Sequence, residues 1–135
     1  MSQVLRSDAW FRTAAILCLL AMVAHELLGA PMVLPPLADA ELDEEIVWLH
    51  HFSWHVGTVA TAAIAFMFFY ASIRPGNLAL AIVATCISTG FCLLGVGLAV
   101  FASPSLWGTP APYLWSLVAV IGLLGVWQSS RAISP

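Results

Sequence analysis

The chain contains no lysine, and four arginines are its whole complement of permanent positive charge. A nucleic-acid surface gathers Lys and Arg into a patch, so 135 residues carrying a net charge of -3 exclude that class of partner. Charge of either sign is scarce: 8% of residues are charged, against roughly 25% in a soluble domain. That is too little to clothe a water-facing surface. Cysteine is nearly missing as well. Cys18, Cys86 and Cys92 match no zinc or redox spacing, and an odd number inside apolar runs gives no disulfide framework. They read as small packing residues. Neither a repeat nor a low-complexity tract is present, and the length leaves no room for a second domain.

What fills the chain is apolar: 61% hydrophobic residues, a mean hydropathy of +0.98, and four long runs punctuated by proline and charge. The runs cover about residues 10–29, 46–73, 78–102 and 113–128, each near or above the roughly 20 residues with which a helix crosses a bilayer core of about 30 Å. They are too long for strands and do not alternate, and only a helix satisfies its own backbone in lipid. The expected fold is all-α: an integral membrane four-helix bundle, antiparallel and up-down, forming a single domain over residues 1–135. Residues 30–45 are expected to form an outer loop, because Gly29 and Pro31 release the chain from the first helix.

Four spans place both termini on one side. Arg6, Arg12, Arg74 and Arg131 all fall on that side, which the positive-inside rule makes cytoplasmic. The expected location is a bacterial inner membrane. Asp39, Glu41, Asp43, Glu44 and Glu45 fall in the outer, periplasmic loop. Tryptophans divide between the two interfaces, with Trp10 and Trp127 inside and Trp48, Trp54, Trp107 and Trp115 outside, as anchors do. The basic start and short apolar core of the N-terminal segment resemble a signal peptide. Cleavage after Ala24 is opposed by Met22, which is not small, so the segment reads as a retained first helix.

Chemistry concentrates in the first two spans. All four histidines sit there, with His25 and Glu26 near the outer end of the first helix and His50, His51 and His55 in the first turns of the second. His51 and His55 are four residues apart and point the same way, with Thr58 continuing the stripe; His50 is rotated by about 100°. On the first helix Ala14, Cys18, Met22 and the pair His25 and Glu26 fall along one broad face, small in its inner half as a packing surface is. If the helices pack through these stripes, His25, Glu26, His51 and His55 converge. The third and fourth helices read as scaffold, with Gly90, Gly95, Gly97, Gly122 and Gly125 allowing close helix approach.

A carboxylate within a span is costly and marks a functional candidate. Imidazoles beside it suit zinc, iron or copper. The leading expectation is therefore a transition-metal site with His25, Glu26, His51 and His55 as ligands and His50 in reserve, in a small redox or metal-handling protein; as an enzyme it would be a metal-dependent membrane oxidoreductase. Met32 in the outer loop is a possible thioether ligand only for copper. A b-type haem held by His25 with His51 or His55 is the second possibility. Proton or quinone chemistry on a histidine and Glu26 is the third. A rival of another class is an accessory subunit of a larger respiratory, photosynthetic or transport complex, or a homo-oligomer, embedded in the lipid bilayer.

Overall fold

In the computed structural model the backbone is described for residues 2–74 and 77–133, and side chains for residues 8–74 and 77–131. Four helices account for nearly all of it. The first, α1, runs as α-helix over Ser2–Ala24, passes through a π-helical turn at His25–Gly29 and resumes as α-helix over Ala30–Ala38. The others are α2 (Glu44–Ile73), α3 (Leu78–Phe101) and α4 (Ala111–Ile133), with a short 3-10 turn at Pro104–Gly108. All four are long and apolar enough to cross a membrane.

The first helix does not stop at Gly29, and the expected outer loop of residues 30–45 shrinks to a link of a few residues after Ala38. Proline was read as a helix breaker because it lacks an N–H and crowds the carbonyl four residues back. Here the backbone widens just before Pro31: the Ala30 N–H donates to the His25 carbonyl, five residues earlier. Pro31 then occupies the start of the resumed α segment, where its missing donor costs little. Pro35 and Pro36 fall in the last turns, next to the end at Ala38. Local π adjustment is a known way for apolar helices to absorb proline.

Consecutive helices run antiparallel. Phe11 stacks near Phe68, with ring centroids 6.3 Å apart, while fourteen residues later on α1 and fourteen earlier on α2 His25 meets Trp54. The core is made of small side chains around a few large ones: Ala14, Ala15, Cys18, Ala65, Ala71, Ala81 and Ala84 surround Phe11, Ile64, Phe68 and Val118. Large aliphatic and aromatic residues mostly face outward. Lipid tails are as apolar as leucine, so burial gives no preference for large side chains inside, and close backbone packing selects small ones. Cys18 is buried, and all three cysteines are free thiols, as their spacing implied.

Most hydroxyls in the spans are satisfied within their own helices. Thr61 donates to the Gly57 carbonyl, Thr85 to Ala81, Ser88 to Ala84 and Ser116 to Pro112, each one turn back. This is the ordinary way to keep serine and threonine in an apolar helix. Glycine has two distinct uses. A Cβ on Gly122 would stand 2.5 Å from Thr85 Oγ1, and one on Gly125 would stand 2.5 Å from Phe11 Cε1, so both hold neighbouring helices close. Gly90 and Gly97, expected to do the same, face open space.

The helices differ in reach. From the level of Phe11, Phe68 and Gly125, the end of α4 at Ala111 lies fourteen residues away, or about 21 Å at a rise of about 1.5 Å per residue. His25 and Trp54 lie the same number of residues from Phe11 and Phe68. The end of α4 therefore lies level with the His25–Trp54 pair, while α3, whose Gly95 faces Ala111, continues to Phe101. Past that level α1 and α2 run on to Ala38 and Glu44.

Candidate functional site

The π-turn supplies the first half of the site. One extra residue in the turn widens it, and both His25 and Glu26 belong to it. Such turns are found frequently at functional positions. The second half comes from α2, where Trp54, His55 and Thr58 face α1.

Glu26 is the hub. Its Oε1 accepts a hydrogen bond from His55 Nδ1 at 3.2 Å and another from the Thr58 hydroxyl. Thr58 thus reaches across to another helix where neighbouring threonines bond back to their own. The reason lies one turn earlier: the Trp54 carbonyl, the usual acceptor for a hydroxyl at position 58, lies 3.3 Å from His25 Nε2. A carbonyl only accepts, so Nε2 carries the proton there. In the same way the carboxylate fixes the proton of His55 on Nδ1, leaving the Nε2 lone pair unprotonated and unbonded. The His55 side chain is 55% exposed and that of Glu26 30%. One partner of the pair is therefore sheltered while the other is presented outward.

His25 and Trp54 form the floor beside this pair. Their rings are nearly parallel, 9° apart, with centroids at 3.9 Å. The indole also covers Gly29, where a Cβ would come within 3.0 Å of Trp54 Cζ2. The indole Nε1 is buried and has no hydrogen-bond partner. Trp54 packs between α1 and α2, against His25 and Gly29. Alternation of histidine with tryptophan in "HHFSWH" was the signal available in the sequence; only the glycine opposite makes it meaningful.

The other two histidines stand apart. His51 lies against Trp48, with ring centroids 5.1 Å apart. His50 uses Nδ1 to bond the Ile46 carbonyl at 2.9 Å within its own helix. Of the four ligands expected to converge, Glu26 and His55 are in direct contact, and His25 lies beside them with Nε2 engaged on backbone. Among the described residues no three His, Cys, Asp or Glu side chains are grouped so as to hold a metal ion. Structural zinc sites use four protein ligands and catalytic ones three. Met32, placed on α1 above the site, is 75% exposed.

A carboxylate holding one imidazole nitrogen while the other faces outward has a definite chemical capacity. It orients the free nitrogen and places a negative charge beside the imidazolium once a proton arrives. Its neighbours in the sequence, Leu27 and Leu28 on α1 and Phe52 and Val56 on α2, are apolar and exposed. The chain matches no protein-family model, no curated protein and no solved structure.

Proposed function

We propose that this is an integral membrane protein with a proton-accepting site, at the outer end of α1 and α2, for a lipid-soluble hydroxy compound of the quinol class. The carrying observation is the His55–Glu26 contact, which leaves Nε2 free on a half-exposed imidazole among apolar side chains. The ligand hydroxyl donates to that nitrogen. Its O–H bond breaks as an N–H bond forms on His55, and the Glu26 carboxylate, further held by Thr58, balances the imidazolium. The His25–Trp54 stack keeps Glu26 and His55 at one level, and the exposed leucines and Phe52 give access from the lipid. Orientation follows the arginines: the termini lie in the cytoplasm and the site faces the periplasm.

The test is equilibrium binding of a short-chain ubiquinol analogue to detergent-purified, untagged protein, with wild type, Glu26→Gln and His55→Ala compared. Saturable binding that weakens roughly tenfold in each variant, about 1.4 kcal/mol, supports the reading. Absence of saturable binding, or equal binding in all three, overturns it. Elemental analysis and an optical spectrum belong to the same preparation. A stoichiometric transition metal or a haem band lost in His55→Ala would move the assignment to a metal centre.

A further inference from the structure

The turn that carries Glu26 leaves the main-chain carbonyl of that residue without a helical donor. In an α-helix this carbonyl accepts from the N–H of residue 30, and in a π-helix from that of residue 31. Here the Ala30 N–H goes to the His25 carbonyl, and Pro31 has no N–H to give. Side chains do not make up the loss. Thr58 and His55 donate to Glu26 Oε1, and His25 Nε2 lies on the Trp54 carbonyl. The buried Trp54 Nε1, whose ring covers this turn at Gly29, has no partner, so it does not serve the carbonyl either.

Position decides what can fill the gap. On this side the turn faces out of the bundle, with Leu27, Leu28, Pro31 and Met32 all exposed. His25 lies fourteen residues beyond Phe11, or about 21 Å along α1. That is inside a hydrocarbon core of about 30 Å that begins near the Trp10 and Trp127 level. Water is scarce at such depth, and an unpaired backbone group there is costly. A molecule that carries its own donor into lipid meets the need.

We propose that the Glu26 carbonyl is a second acceptor of the site and takes one O–H of a lipid-soluble compound bearing two hydroxyls, the other going to His55 Nε2. The proposal rests on the reading of the His55–Glu26 pair as a quinol site and narrows that reading to dihydroxy ligands. One small molecule spans both acceptors, because only the Glu26 side chain and the His55 ring, joined through Oε1 and Nδ1, stand between them. The π-turn and Pro31 thus have a joint role, which is to free a backbone acceptor beside the imidazole.

The test follows the carbonyl itself, with the full chain in phosphatidylcholine bilayers, whose headgroups hold no N–H or O–H. Glutamate with an isotope-labelled carbonyl carbon and leucine with a labelled nitrogen mark the peptide bonds of Glu26 to Leu27 and of Glu41 to Leu42 alone. Glu41→Gln removes the second. The probes are a short-chain ubiquinol analogue held reduced, its monomethyl ether and its dimethyl ether. The proposal expects a Glu26 carbonyl signal that shows no water contact in lipid alone, moves downfield saturably with the quinol and ignores the dimethyl ether. The monomethyl ether, with one O–H, should bind roughly tenfold more weakly, and His55→Ala should keep the carbonyl response at roughly tenfold higher quinol. A carbonyl that ignores the quinol while the His55 nitrogen responds overturns this proposal and leaves the proton-accepting site standing. A carbonyl that responds while His55 does not removes that site and the two-point hold with it, and silence of both removes the two together. A water contact before any ligand is added, or a shift caused by phosphatidylethanolamine alone, means that water or a headgroup fills the place, and overturns the proposal as well.

Discussion

Gly29 and Trp54 are matched across the α1–α2 interface: the indole lies where a glycine side chain would begin, with a hypothetical Cβ 3.0 Å from Cζ2 and 3.2 Å from Cη2. A large side chain at position 29 must push the indole off His25. Gly29→Leu is expected to destabilise the bundle by about 1–3 kcal/mol and to alter tryptophan emission. Gly29→Ala should cost less, because alanine favours helix and the indole need shift only slightly. Thermal unfolding in detergent, read by tryptophan fluorescence, checks both.

Four of the five glycines of α3 and α4 separate into two expected behaviours. Gly122→Ala and Gly125→Ala drive a methyl into Thr85 and Phe11 and should each lower stability by about 1–3 kcal/mol. Gly90→Ala and Gly97→Ala meet nothing within 4 Å and should be neutral, or stabilising by up to about 1 kcal/mol. Four single variants unfolded side by side would expose an error in either half.

Thr58 tests whether the hydroxyl holds the carboxylate or merely fills space. Thr58→Val keeps the shape and removes the donor, leaving Glu26 one hydrogen bond poorer, and should cost about 1 kcal/mol. Thr58→Ser keeps the donor and should restore most of that loss. Equal stability of the valine and serine variants would contradict the network described.

The tautomer of His55 is directly measurable. With Nδ1 donating to Glu26, nitrogen NMR of neutral His55 should report the Nδ1-protonated form. Glu26→Leu should return the ring to the commoner Nε2-protonated form, with His50 as an internal control because its Nδ1 bonds backbone and not Glu26. An unchanged His55 spectrum in the leucine variant would mean that the carboxylate does not set the proton position.

Much of the bundle was legible because membrane helices announce themselves by length and hydropathy. The second and third helices fall within two residues of their expected bounds, and the Ala14–Cys18 face packs inward as its small side chains implied. The continuation of α1 to Ala38 was not legible. Proline at positions 31, 35 and 36 carries a strong local signal for a break, and whether a helix widens to absorb it depends on tertiary packing around Trp54. The site was legible in outline only: His25, Glu26, His55 and Thr58 do lie where α1 and α2 face each other. Which of two histidines one turn apart meets Glu26 depends on how α1 and α2 register, and periodicity within one helix does not encode that register. His51, the equal of His55 in spacing, goes to Trp48.

The π-turn also bears on how the chain tolerates change in its length. Inserting or deleting one residue in a regular α-helix rotates everything beyond it by about 100° and would normally scramble a packed face. In "HELLG" the backbone already carries one residue more than an α-helical path needs. Loss of a single codon there can therefore be absorbed by tightening the turn into plain helix, whereas a one-residue deletion within Ala14–Cys18 has nowhere to go. The protein is expected to accept codon-scale length variation at this one level of α1, next to Glu26, and to reject it deeper in the bundle.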